Sequence, residues 1–410
     1  MLTRRQLLAL LPAALAKGAN VPIRRLTSGP QFHWFGYYDK LQFDPTGRYV
    51  LGQQVDFEHR SPRADDVIRL GIIDTAQTDS AKAWEEIGTS RAWNWQQGCM
   101  LQWLPRSREE LMWNDRERDG RGERFVCRIY NTRTRKTRTL PHPVYTLSPD
   151  GKTGLAPDFR RLNDCRPGYG YAGIPDPGAG NLAPNNAGIW SVDMRTGRNK
   201  LLFDFVGIAA RPHREPYSKN SKHWFNHLLF NTDGSRFIFL HRWRGEAEGN
   251  SFSTRMFTAN ADGTSPYVLD PYGKTSHFIW RDPQHVLAWA WHPSHKNAFY
   301  LYKDRTEEVA VVGKDIMTEN GHCVYLPGNK WILNDTYPDK QRLQHLYLFE
   351  AATGKRIPLA DLYSPPEYTG EWRTDLHARF SPDGKQVCID STHEKMGRQL
   401  YLLDISSIVA

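Results

Sequence analysis

An all-β fold, a seven-bladed β-propeller with four-stranded antiparallel blades, is predicted by three observations. A strand–turn–strand phrase recurs seven times, a third strand follows most copies, and no long amphipathic helix interrupts them. Each copy is a short apolar run, a turn rich in Asp, Pro, Gly or Asn, and a second apolar run. The copies lie at residues 41–51, 101–112, 145–151, 228–234, 278–284, 324–329 and 378–384. Third strands are read at 70–74, 189–193, 346–350 and 400–404, several ending in turns such as Asp193 to Gly197 or Asn260 to Gly263. Radial packing buries both faces of every sheet and removes exposed edges, provided that the last blade closes on the first. Residues 21–26 are the candidate closing strand. The Gly-, Pro- and Asn-rich stretch 160–186 does not read as strand and is taken as a loop rising from blade three over one face. A pair of β-sandwiches is the main alternative.

The 410 residues, 39% hydrophobic and with fourteen Trp, can furnish a large core and lie far from disordered compositions. Thr3-Arg4-Arg5-Gln6-Leu7-Leu8, the apolar stretch 9–15 and Ala14-Leu15-Ala16 read as a twin-arginine leader with its cleavage site. Residues 1–16 are therefore assigned to the leader and 17–410 to a single propeller domain, periplasmic or secreted. An amphipathic first helix that stays attached is the alternative. No segment approaches the length of a transmembrane span, so no membrane insertion is expected. The formal net charge of +9 stays positive once Arg4 and Arg5 are removed, which suits a polyanionic partner. Scattered Lys and Arg, together with export, argue against nucleic acid and favour an acidic polysaccharide. Basicity that serves solubility alone is the plainer reading. Cys99, Cys127, Cys165, Cys323 and Cys388 are odd in number and widely spaced, so they define neither a disulfide framework nor a zinc finger. A monomer is expected.

Aligning the copies on their turns brings histidines into register. His227, His277, His322 and His377 each stand three residues before an aromatic, Phe230, Trp280, Tyr325 and Phe380. Lys40, Met100 and Val144 hold that place in blades one to three. The start of an innermost strand lies at the mouth of the channel, so the four imidazoles should converge. Imidazole ligates Zn, Mn, Fe and Cu, and Cys323 beside His322 offers a thiolate. The readings weighed are a divalent metal site, a hydrogen-bonded structural plug, and metal-free catalysis. Second strands should return Gln54, Asn114, Asp158, His241, Arg242, His292, Asn334, Asp335 and Asp390 to the same face, beside loop residues Arg160, Arg161, Arg166, Tyr169 and Tyr171.

Trp224-Phe-Asn-His227-Leu-Leu-Phe230, Leu240-His241-Arg242-Trp243, Thr275-Ser-His277-Phe-Ile-Trp280 and Asp375-Leu-His377-Ala-Arg-Phe380 resemble motifs of the propeller polysaccharide lyases, the group of oligogalacturonate and ulvan lyases. The resemblance implies β-elimination on a uronate, with His227 as base and His277 and His377 holding a divalent metal. Oligogalacturonate lyases carry a further His two residues before the last one and a Gln three residues earlier still. Here Asp375 and Trp372 stand in those places. The segments His33-Trp-Phe-Gly-Tyr-Tyr-Asp-Lys40 and Arg166-Pro-Gly-Tyr-Gly-Tyr171 are more similar to ulvan-lyase-type propellers, some of which bind zinc. The expected metal is zinc or manganese ahead of calcium, with His277, His322, His377 and Cys323 as candidate ligands. Arg242 or Arg166 is expected to neutralise the uronate carboxylate, and Tyr171 or Tyr169 to protonate the leaving oxygen. The competing readings are a glycoside hydrolase using Asp158, Asp335 or Asp390, and a noncatalytic propeller that binds glycan or protein.

Overall fold

The computed structural model describes residues 21–120 and 122–410. Seven four-stranded antiparallel sheets form the blades of a propeller. From the innermost strand outward, blade one is Phe32–Trp34, Tyr49–Val55, Ile68–Asp74 and Trp84–Ser90. Blade two is Gln102–Trp103, Glu110–Asp119, Gly122–Asn131 and Lys136–Leu140. Blade three is Thr146–Leu147, Thr153–Pro157, Gly188–Asp193 and Asn199–Asp204. Blade four is Lys222–Phe230, Arg236–Arg244, Ser253–Asn260 and Tyr267–Gly273. Blade five is Phe278–Trp280, His285–His292, Lys296–Lys303 and Val309–Val312. Blade six is Cys323–Tyr325, Trp331–Asn334, Leu343–Glu350 and Arg356–Tyr363. Blade seven takes Arg379–Phe380, Gln386–Ser391 and Gln399–Asp404 from the C-terminal end of the chain, and its outer strand, Ile23–Arg25, from the N-terminal side. Ile23 pairs with Leu403 and Arg25 with Tyr401, so residues 21–26 contain the closing strand. The expected leader, residues 1–16, lies outside the described residues. No helix among the described residues is long and apolar enough to cross a membrane.

In blades two to seven the recurring phrase builds the hairpin between the first two strands. Its turn closes by hydrogen bonds such as Gly151 N to Ser148 O and Gly384 N to Ser381 O, at φ of 73° and 71°, values that glycine adopts without a Cβ penalty. Apolar residues alternating along the strands meet in the seams between blades. Leu240, Met256, Val286 and Tyr300 fill one between blades four and five. Leu333, Leu348, Ile389 and Tyr401 fill another between blades six and seven.

Two elements depart from the expectation. In blade one the innermost strand is Phe32–Trp34, and the 41–43 run contributes only the bridge Phe43 to Val50. The segment between them turns into the channel. The blade-three stretch opens with a helix, Phe159–Cys165, capped by Asp158, whose carboxylate accepts from the backbone N–H of Arg160 and Arg161. Its buried Arg161 donates to the carbonyls of His223 and Leu182 and to Asp176, which pins the loop to blade four.

Candidate active site at the channel mouth

The four register histidines converge and are buried, each no more than 4% exposed. Ring centroids of His277 and His322 lie 4.1 Å apart, and those of His322 and His377 4.3 Å apart. Local backbone geometry aims two of them. Between the pairs Asn226–Leu240 and Leu229–Ile238, two residues of the inner strand face one of its neighbour, a β-bulge whose first residue, His227, has φ of 52°. His377 repeats that conformation at 44° and Met100 at 59°. Histidine tolerates the left-handed region better than most residues, and Val144 in blade three does not adopt it.

His227 Nδ1 lies 3.2 Å from both Gln97 Nε2 and Tyr145 Oη, and Nε2 lies 3.4 Å from Tyr37 Oη. Burial, then the charges of Arg242 and Arg166, hold it well below the ordinary histidine value, so it is neutral at neutral pH. His277 Nδ1 sits 2.9 Å from Asn320 Oδ1.

His322, Asp375 and His377 bring one ligand atom each within 4.8 Å of one another. Nε2 of His322 and Nε2 of His377 are both buried without a hydrogen-bond partner among the described residues, and the latter lies 3.9 Å from Asp375 Oδ2. Two bare imidazole nitrogens and a carboxylate fit a divalent cation of the Mn or Zn type. Asp335 accepts from His322 Nδ1 at 2.9 Å, from His322 N at 2.7 Å and from His377 N at 2.9 Å. Burial alone would lower His322, but Asp335 overrides it and raises the imidazole above its usual value.

Cys323 is not part of this group. Neighbouring residues on a strand point to opposite faces, so its thiol packs with Leu287, Phe299 and Ile332, and burial pushes its pKa far up. His277 stands against His322 but outside the three-ligand group, and Asp375 takes the place that the sequence reading gave to cysteine.

Arg242 is 3% exposed, and its Nε and Nη1 have no hydrogen-bond partner among the described residues. Burial, then Arg166, push its guanidinium down to about 9. Arg166 follows the blade-three helix, and its guanidinium lies 4.4 Å from the Phe252 ring, with Arg242 4.7 Å from the same ring. Tyr169 sits edge-on to His227 at 5.5 Å and accepts from Arg373 Nη2 at 2.8 Å. Burial opposes its ionisation, but Arg373 and then Arg166 bring it down to about 8. Tyr171 is placed differently: fully buried, it stacks on Phe159 at 4.2 Å and accepts from Asn114 Nδ2. It is a packing residue, because the two tyrosines flanking Gly170 turn in different directions. Tyr171→Phe should cost roughly 1 kcal/mol of stability for one buried hydrogen bond, read by chemical denaturation.

The hydrolase reading finds its carboxylates engaged elsewhere. Asp158 caps the helix and pairs with Arg160, Asp335 holds His322, and Asp390 pairs with Arg379.

The sequence reading missed the inward course of the segment after Trp34. Tyr37 stacks on His227 at 5.0 Å and meets His377 at 5.1 Å, and Tyr38 meets His322 at 5.1 Å. A signal was present: Gly36 has φ of 116°, and a Cβ there would stand 2.8 Å from the Gln97 carbonyl carbon. Only glycine admits so close a backbone approach. Lys40 pairs with Asp39 below, a buried ion pair in the channel. Gln97 and Tyr145, which hold His227, carried no sequence signal of their own.

The fold and site define a seven-bladed propeller whose channel mouth gathers four histidines near two guanidiniums, one of them, Arg242, buried with no counter-ion among the described residues. Neither a protein-family model nor a curated protein matches the sequence. Solved structures do share the fold. An oligogalacturonate lyase in complex with manganese superposes at a TM-score of 0.64 and 16% identity, over 94% of both chains. An oligogalacturonate lyase from Vibrio parahaemolyticus gives 0.65 and 13%, over 95% of both. A prolyl endopeptidase gives 0.51 and 9%, covering 92% of this chain but 48% of its own. The chain thus has an oligogalacturonate-lyase-like propeller fold, matched across nearly its whole length.

Proposed function

We propose that this protein is a polysaccharide lyase that cleaves a uronate-containing acidic poly- or oligosaccharide by β-elimination. The observation that carries the reading is Arg242: a buried guanidinium with two bare nitrogens, whose charge acts on His227, calls for an anion at that spot. A uronate carboxylate placed there with Arg166 is neutralised, which acidifies the C5 proton. Neutral His227 takes that proton. The C5–H electron pair becomes the C4–C5 double bond, the C4–O bond breaks, and Tyr169 gives its proton to the leaving oxygen. His322, Asp375 and His377 would hold a divalent cation, manganese or zinc, whose chemistry is further neutralisation of substrate charge. Ulvan-type substrates are favoured by the segments 33–40 and 166–171, with oligogalacturonate next. Export through the twin-arginine route, to the periplasm or beyond, is part of the same reading and rests on residues 1–16.

The test is an absorbance screen on ulvan, oligogalacturonate, alginate and glycosaminoglycans, with and without added Mn²⁺. A 4,5-unsaturated uronate absorbs in the near ultraviolet. New reducing ends without that absorbance would mean hydrolysis, and no cleavage of any substrate would favour a binding protein. A donor must be protonated, so activity should fall as pH rises through about 8, where Tyr169 ionises, and Tyr169→Phe should lose both turnover and that limb.

A further inference from the structure

The channel wall is stapled in a recurring way. A side chain in, or directly after, the second strand of one blade accepts from the inner backbone of the next: Gln53 Oε1 from Cys99 N at 2.9 Å, Asn114 Oδ1 from Val144 N at 2.8 Å, Asp390 from Phe35 N at 3.2 Å, and Asp335 from His377 N at 2.9 Å. Stapling needs an acceptor and no charge, as the amides of Gln53 and Asn114 demonstrate. Asp390 is also a carboxylate side chain, but Arg379 Nη2 meets it at 2.7 Å. Asp335 is 1% exposed, and its one ion-pair partner among the described residues is His322. A carboxylate so placed is more than the staple requires, and burying its charge is costly unless a positive charge lies nearby.

We propose that Asp335 is the positioning residue of the cation site, fixing the tautomer of His322 and the place of His377 while contributing the negative charge that a bound cation offsets. The inference rests on the reading of His322, Asp375 and His377 as ligands. As an acceptor, the carboxylate holds the imidazole proton on Nδ1, 2.9 Å away, which leaves the Nε2 lone pair for a metal. The other oxygen grips the backbone of His377, so one side chain sets both histidines across the seam between blades six and seven. An asparagine could still accept from His377 N, but its NH₂ would face His322, where it would meet the backbone N–H that Asp335 accepts and would donate to Nδ1, moving the proton to Nε2, where it blocks ligation.

Calorimetric titration of the full chain with Mn²⁺, together with the absorption spectrum of the Co²⁺-loaded protein, tests this. Asp335→Asn should bind Mn²⁺ roughly 10- to 100-fold more weakly, with a changed Co²⁺ spectrum, and melt below the unaltered protein because one buried backbone N–H loses its acceptor. Equal Mn²⁺ affinity in that variant would overturn the role of Asp335 while leaving the ligand set standing. Failure of the unaltered protein to bind Mn²⁺ or Co²⁺ would overturn the ligand set and the proposal together. Should the asparagine variant not fold, Asp335→Glu, which keeps the charge but displaces the oxygens, should bind Co²⁺ with a shifted spectrum. An unchanged spectrum there overturns the proposal.

Discussion

Arg242→Met should lower kcat/KM on a uronate substrate by about 10²- to 10³-fold and at the same time raise the melting temperature by a few degrees. The two effects share one cause. The guanidinium is buried with two nitrogens unpartnered, and burial with Arg166 beside it brings it down to about 9, which corresponds to a few kcal/mol of unfavourable desolvation and repulsion in the folded protein. Methionine fills similar space without the charge. Turnover assays paired with calorimetric melting check both halves. A less stable variant would mean that Arg242 is satisfied in the fold, and undiminished activity would remove it from carboxylate binding.

His227→Asn should reduce turnover by about 10²- to 10⁴-fold, the usual contribution of a positioned general base, with little change in stability. Asparagine is the informative substitution because residue 227 has φ of 52°, a conformation that asparagine tolerates. His227→Ala should lose the same activity and roughly a further 1 kcal/mol or more of stability from the left-handed backbone. Steady-state kinetics with denaturant unfolding separates the two losses. Full turnover in the asparagine variant would leave Tyr169 or another group as the base. Since His227 is already neutral at neutral pH, the proposed activity of the unaltered protein should show no acid limb from this residue near the ordinary histidine value.

The blades were legible because a hairpin is a local object. The turn, the alternation of apolar residues and the third strand all lie within a few tens of residues, so each of the seven phrases announces its own sheet. The same locality made the register of His227, His277, His322 and His377 visible, since equal positions in equal hairpins reach equal places in a closed ring. Cys323 was misjudged for a reason that also lies in strand geometry: adjacency in sequence puts it on the face opposite His322. Tyr171 was misjudged because nothing short of the folded loop distinguishes its direction from that of Tyr169. The aspartates offered to a hydrolase looked free because their partners, Arg160, His322 and Arg379, become theirs only through a helix cap or a hairpin.

Repeat number, blade order, the closing strand and the ring of histidines follow from the sequence alone, because they depend on patterns repeated within short stretches of chain. Tertiary structure alone decided which groups meet at the mouth: Tyr37 against His227 from 190 residues away, Arg373 on Tyr169 from 204, and Asp335 between the histidines of two blades. Those contacts join segments that share no local pattern. Their geometry is set by how one sheet packs on the next, and burial there, by removing water, determines which charges are left to be met by a substrate or a cation.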